Sequence, residues 1–168
     1  DLYPYSQGAG IELAVAVGGY VRGRQNYLSN FGSILTDDAI PGRFLARFVV
    51  IPQERQPWEL FVNARGERFI REDEPSVDAR EHSLLSQPDL RYWIVFDEAI
   101  LSAAPPGVGG WTREQMRETF GVHKWFQQAD DLATLARNSG IDPDGLQRTV
   151  ADFNRGVTRG KDALGRTH

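Results

Sequence analysis

Arg68 with Glu72, Arg80 with His82, and Gly8 with Gly10 are the residues here whose types and spacing could do chemistry. Arg68 and Glu72 stand four apart in a stretch that reads as strand and turn, so they are not a helical pair. They either tie a hairpin to the helix that follows or contact a substrate directly. Arg80 lies on a predicted helix. Its fixed charge could orient a carbonyl or stabilise a developing enolate. The competing reading is a solvated arginine paired with Glu81. His82 is the one histidine placed to act as acid or base, against the plainer reading of a surface or half-buried ring. The candidate catalytic residues are therefore Arg80, Glu72 and His82. Gly8–Ala9–Gly10 precedes a helical stretch and could let backbone approach a cofactor, which makes Gly8 and Gly10 the candidate cofactor-binding residues. A dinucleotide loop would need a third glycine at position 13, which is Leu13, and Pro4 breaks any strand before it. A simple turn at a helix start explains the same residues.

The remaining residue types exclude several chemistries. The three histidines, His82, His123 and His168, are far apart and there is no cysteine, so no metal site is expected. Disulfides and thiolate catalysis are excluded within the chain. Trp93 reads as core, whereas Trp111 and Trp125 flank a short helix and either line an apolar cleft or pack in the core. Nineteen Lys+Arg against 23 Asp+Glu give a net charge of -4 with signs interspersed, and no basic stripe for nucleic acid is visible. No apolar run reaches the roughly 20 residues of a membrane helix. No secretory pattern appears, and a cytoplasmic location is the expectation.

These residues need elements to hold them. Residues 10–20 read as a helix that is apolar nearly all round and so calls for burial on every side, with Gly18 and Gly19 at its end. Residues 23–44 show no period. Residues 45–51 read as a strand. Residues 60–63 and 68–70 form a hairpin through Gly66. A helix follows with Pro75 at its first position, Val77, Leu84 and Leu85 inward, and Pro88 at its end. Residues 91–96 are a strand and 103–111 a loop. Thr112 and Gln115 form a capping-box pattern opening a helix that stops before Gly121. Asp130 or Asp131 caps the next helix, which ends at Gly140. Asp142–Pro143 opens the last, with Leu146, Val150, Phe153 and Val157 in one stripe and Gly160 at the end. This order predicts α+β, a small mixed or antiparallel sheet with packed helices.

Four segments carry a resemblance. Phe61–Val62–Asn63 with Gly66, Arg68–Phe69 and Glu72 comes first, followed by the strand ending in Phe96–Asp97. Then come Ala129–Asp130–Asp131–Leu132 with Leu135–Ala136, and Thr149–Val150 with Phe153–Asn154, Gly160–Lys161–Asp162 and Gly165–Arg166. In this order they resemble the fumarate reductase/succinate dehydrogenase flavoprotein superfamily, which includes 3-ketosteroid dehydrogenases. Gly8–Ala9–Gly10–Ile11 resembles a helix start in that family's flavin domain, with Ala9 where the family has Asp. The resemblance implies a remnant of an FAD-binding domain over residues 1–38 and a substrate-capping domain over 39–168. It further implies an FAD-dependent oxidoreductase in which the cap closes over flavin and substrate for hydride transfer at a C–C bond. FAD itself is expected in an intact parent and not on this chain alone.

The resemblance also marks departures. Where fumarate reductases carry Thr and Glu of a T-E-x-x-R-G segment, this chain has Ile51 and Pro52. Arg55 matches the Arg, but no Gly follows it. Ser76 stands at the proton-donating Arg, and Arg80 is one helical turn further on. A C4-dicarboxylate needs cations at both carboxylates. A small apolar or cyclic substrate is therefore expected rather than fumarate. A non-catalytic binding or assembly module derived from the family is the alternative.

Overall fold

The computed structural model describes residues 7–23, 31–39 and 42–167. Pro4 and His168 lie outside them. Six helices and four short strands are found there: α1 Ala9–Ala16, β1 Ile34–Leu35, β2 Phe44–Ala46, β3 Leu60–Val62, α2 Val77–Leu85, β4 Trp93–Val95, α3 Glu98–Ala103, α4 Arg113–Thr119, α5 Leu132–Ser139 and α6 Pro143–Arg159. A 3-10 turn, Pro88–Leu90, joins α2 to β4. The strands form two antiparallel pairs, β1 with β2 and β3 with β4. The chain is α+β, as its sequence predicts. No described helix is long and apolar enough to cross a membrane.

β3 organises the core. Successive side chains on a strand point to opposite faces, and all three of its residues are buried. Phe61 joins a cluster with Phe31, Phe48, Val50, Leu84, Met116 and Phe126. Leu60 and Val62 join a second cluster with Ala136, Ile141 and Leu146 of the α5–α6 pair. β4 pairs Leu60 with Val95, Phe61 with Ile94 and Val62 with Trp93. Trp93 and Val95 pack on the second cluster and Ile94 on the first. The predicted hairpin survives as one bridge, Val62 with Arg68, while β4 pairs with β3 along its whole length.

Its turn has a separate task. Gly66 has φ 70°, and a Cβ there would lie 2.2 Å from the Leu146 backbone nitrogen. A Cβ at Gly145 would lie 1.8 Å from the Arg65 carbonyl oxygen. The Asp142 amide donates to the Ala64 carbonyl at 2.9 Å. The turn thus seats on the first turn of α6 at backbone contact. Helix propensity alone would make Gly145→Ala stabilising by about 1 kcal/mol. The contact predicts the opposite, a loss of about 3 kcal/mol from overpacking, read as a lower urea midpoint. A raised midpoint would contradict this packing.

Several expectations need correction. The strand over 45–51 shortens to β2 because its continuation pairs with a loop: Phe48 bridges Val108, and the Val49 amide donates to the Gly107 carbonyl at 2.7 Å. Pro75 precedes α2 and does not begin it. Ser76 is the cap, its hydroxyl accepting from the Ala79 amide at 3.2 Å. The buried residues of α2 are Arg80 and Leu84, while Val77 and Leu85 are exposed. The α6 stripe is buried at Leu146, half-buried at Val150 and Phe153, and exposed at Val157. α1 forms as expected but buries no residue, because no described element covers it. The division expected at residues 38/39 cuts the β1–β2 pair, and Phe31 already belongs to the main core.

Candidate functional site

The loop before α4 builds one wall of a groove. Gly107 lets it lie on Phe48, since a Cβ there would sit 2.0 Å from the ring. The Gly109 amide closes the contact on the Arg47 carbonyl at 3.0 Å. Opposite runs the segment 49–58. Between them lies an open groove of about 740 Å³, lined by Val49, Val108, Trp58 and Trp111 with Glu54 and Arg55. Trp58 is half-open to solvent, and Trp111 stacks on Phe126 at 5.6 Å with the rings 16° apart. Arg55 forms the floor. Its Nη1 and Nη2 donate to Glu59 at 2.9 and 2.5 Å, and its Nε donates to the Pro105 carbonyl at 3.0 Å. The guanidinium lies 5.5 Å over Phe48. The bidentate pair holds the guanidinium in place, its Nε bond to Pro105 ties the two walls together, and the groove surface above it is mainly apolar. Trp125 does not line it. That ring sits instead under Arg91 and Lys124, at 5.2 and 4.3 Å.

The three expected catalytic residues occupy three different environments. Glu72 is fully buried. One oxygen accepts from the Phe61 amide at 3.2 Å and Arg68 Nε at 2.7 Å; the other accepts from Arg68 Nη2 at 2.5 Å and Arg166 Nη1 at 3.4 Å. Arg68 also donates to Asp162 at 2.5 Å, and Arg166 donates to the Glu59 and Pro57 carbonyls. The guanidiniums of Arg68 and Arg166 both lie over the Phe153 ring, at 5.0 and 5.5 Å. The acceptor directions of Glu72 are thus occupied, and its tie reaches the segment 162–167 rather than α2.

His82 stands on the open face of α2 with a side chain 70% exposed, its Nδ1 2.8 Å from the Asp78 carbonyl oxygen. Arg80 is 2% exposed, so the solvated pairing with Glu81 is not what forms. Its Nη1 donates to the Val50 carbonyl at 2.9 Å, and its Nε has no acceptor. Burial holds its guanidinium below the ordinary arginine value, against the pull of Glu74. Gly8 caps α1 at φ 83°, and nothing lies within 4 Å of where a Cβ would sit on Gly8 or Gly10. Nothing among the described residues completes a cradle around them. Among the described residues no group of His, Cys, Asp or Glu could hold a metal.

The clamp around Glu72 carries a pH signature. Burial raises the Asp162 carboxyl, but the Arg68 hydrogen bond and the Arg166 amide outweigh it and hold the group below the ordinary range. Burial likewise opposes Asp73, and the Thr167 amide and hydroxyl win. A carboxyl lowered on folding stabilises the fold above its unfolded value and loses that contribution as pH falls through the folded value. Stability is therefore expected to be flat from pH 7 to 5 and to fall below about pH 4. Asp162→Asn should weaken the fold at pH 7 and flatten the acid limb of a urea-midpoint profile. An acid limb identical to that of the parent sequence would contradict the clamp.

No family model matches the chain. It is 30% identical over 122 residues to the probable fumarate reductase Ifc3 of Shewanella frigidimarina, covering 72% of this chain and 19% of that protein. It is 26% identical over 167 residues to a fumarate reductase (cytochrome) of Shewanella frigidimarina, covering 95% of this chain and 24% of that one. The open conformation of a flavocytochrome c3 fumarate reductase matches with a TM-score of 0.56 and 28% identity, over 75% of this chain and 20% of that chain. The chain thus spans a fifth to a quarter of the length of these relatives. Motif order, α+β fold and these matches place the chain in the fumarate reductase flavoprotein superfamily, as one segment of a protein of that kind.

Proposed function

We propose that this chain is the substrate-capping portion of an FAD-dependent oxidoreductase acting at a C–C bond of an apolar or cyclic substrate. The supporting observation is the groove between Trp58 and Trp111, whose one charged floor residue, Arg55, is already spent on Glu59. Ile51, Pro52 and Ser76 stand where a fumarate-reducing site would carry polar and cationic groups. A dicarboxylate would meet no free cation on this wall, whereas an apolar ring would bury surface against two indoles. The flavin belongs to the parent protein. The described residues do not fit it, and a preparation of this chain alone is expected to be colourless. The chain's own contribution is to exclude water and shape the space over the substrate.

Trp58 tests the reading, because it is exposed and its loss leaves the core intact. In the flavin-containing parent, Trp58→Ala should raise KM for an apolar cyclic substrate about tenfold or more, the scale of one aromatic face, with flavin content unchanged. An unaltered KM would remove the groove from the substrate path. The missing cations also fit a non-catalytic module, which predicts a parent with no substrate-dependent flavin bleaching at all.

A further inference from the structure

The groove between Trp58 and Trp111 is unbalanced in charge. Arg55 is the one cation among its described lining residues, and its guanidinium is closed on Glu59 and the Pro105 carbonyl. That pair is buried and sums to zero. Glu54, beside it in the lining, differs in both respects. It is exposed, and its carboxylate makes no hydrogen bond or ion pair among the described residues. Its backbone is held all the same, since the Glu54 and Arg55 amides both donate to the Ile51 carbonyl, at 2.9 and 3.0 Å. The groove thus carries one uncompensated negative charge on a fixed turn.

The aromatic walls favour a ligand of the opposite sign. An indole face carries negative potential, and tryptophan is the best of the rings for a cation. Trp58 is 43% exposed, and Trp111 has one face taken by Phe126. Trp125 already shows the chemistry within this chain, with Lys124 and Arg91 at 4.3 and 5.2 Å from its ring. Neither groove tryptophan has such a cation among the described residues. Donors for an anion are scarce on the facing loop. Pro105 and Pro106 have no N–H, and the Gly109 amide is spent on the Arg47 carbonyl.

We propose that this groove selects, among apolar cyclic compounds, those that carry a quaternary or protonated nitrogen, with the ring against Trp58 and Trp111 and the positive charge toward Glu54. The proposal rests on the capping reading of the groove and narrows its substrate class. A neutral ring gains the apolar contact alone. A cationic ring adds a cation–π contact and an exposed ion pair, each small by itself and together about five- to tenfold in affinity. A dicarboxylate meets the repulsion of Glu54 as well as the shortage of donors.

Two cyclic ketones of one shape test it, dimethyl-oxopiperidinium and dimethylcyclohexanone, which differ only in a quaternary nitrogen or a quaternary carbon opposite the carbonyl. Each is titrated into this chain at low ionic strength, with succinate as the anion, and the indole Nε1–H resonances of Trp58 and Trp111 are followed by NMR. The cation should shift both resonances saturably and bind about five- to tenfold more tightly than the neutral ketone, with the gap narrowing as salt is added. Succinate should give no saturable shift. Glu54→Gln keeps the shape of an exposed, unpaired side chain and removes its charge. It should narrow the gap to about twofold, the part left to the indoles. Equal binding of the two ketones, or a gap that Glu54→Gln leaves whole, would overturn the proposal and leave the apolar groove standing. Indole resonances that respond to neither ketone would overturn it as well, and the capping reading would then be decided separately by Trp58→Ala in the parent.

Discussion

Glu72→Ala is expected to cost about 3–5 kcal/mol of stability, the range for breaking a buried ion pair from one side. The loss is large because one carboxylate serves two arginines. Arg68 and Arg166 have side chains 7% and 8% exposed, and the carboxylate they share is fully buried. Removing it takes a shared carboxylate from Arg68 and Arg166, leaves Arg68 with Asp162, and frees the Phe61 amide. Urea unfolding of this chain measures the effect. Glu72→Gln should fall between, since it keeps shape and one acceptor but no charge. The catalytic reading of Glu72 predicts the reverse pattern, a normally stable protein that has lost turnover. A stability loss under about 1 kcal/mol, the size of an exposed pair, would mean that the clamp is not what holds residues 162–167 to the hairpin.

Arg80→Met should lower turnover of the flavin-containing parent about 10²-fold, the scale of losing one preorganised donor to developing negative charge. The sign of its stability effect is the second half of the expectation. Methionine has a similar reach and no charge, so replacing a desolvated cation without an anion should leave stability unchanged or raised. An Arg80 that merely pins the Val50 carbonyl predicts normal turnover and lowered stability. Glu72→Ala and His82→Ala serve as companions. His82, exposed on α2, should tolerate replacement with both activity and stability intact.

The sequence was most legible where a local rule has a single physical solution. Thr112 with Gln115 forms the full reciprocal capping box, Asp131 and Asp142 cap α5 and α6, and Gly140 and Gly160 end them in the left-handed conformation. Such signals depend on neighbours in the chain and survive any tertiary arrangement. Helix α3 was missed although Asp97 caps it by the same rule, its carboxylate accepting from the Ile100 amide at 2.8 Å. Its six residues are too few to show a period.

What depends on distant residues was not legible. Arg68 and Glu72 are visible as a pair, but nothing local says that Asp162 and Arg166 complete it, 94 residues away. Arg55 and Glu59, four apart outside any helix, carried a signal of the same kind as Arg68 and Glu72, and the pair proves as buried. The burial of Arg80 inverted the ordinary expectation for an arginine on a short helix. α1 shows the opposite failure: its apolar surface is real, and among the described residues nothing covers it.

The central claim is that this wall closes over an apolar substrate and not a dicarboxylate. The most direct measurement is the absorbance of the flavin-containing parent, followed anaerobically across a panel of cyclic ketones, steroid-like ketones, succinate and fumarate. The account predicts bleaching of oxidised flavin by a cyclic or steroid-like ketone, no bleaching by succinate, and no reoxidation of reduced flavin by fumarate. Rapid reoxidation by fumarate, with every cyclic compound inert, would contradict it.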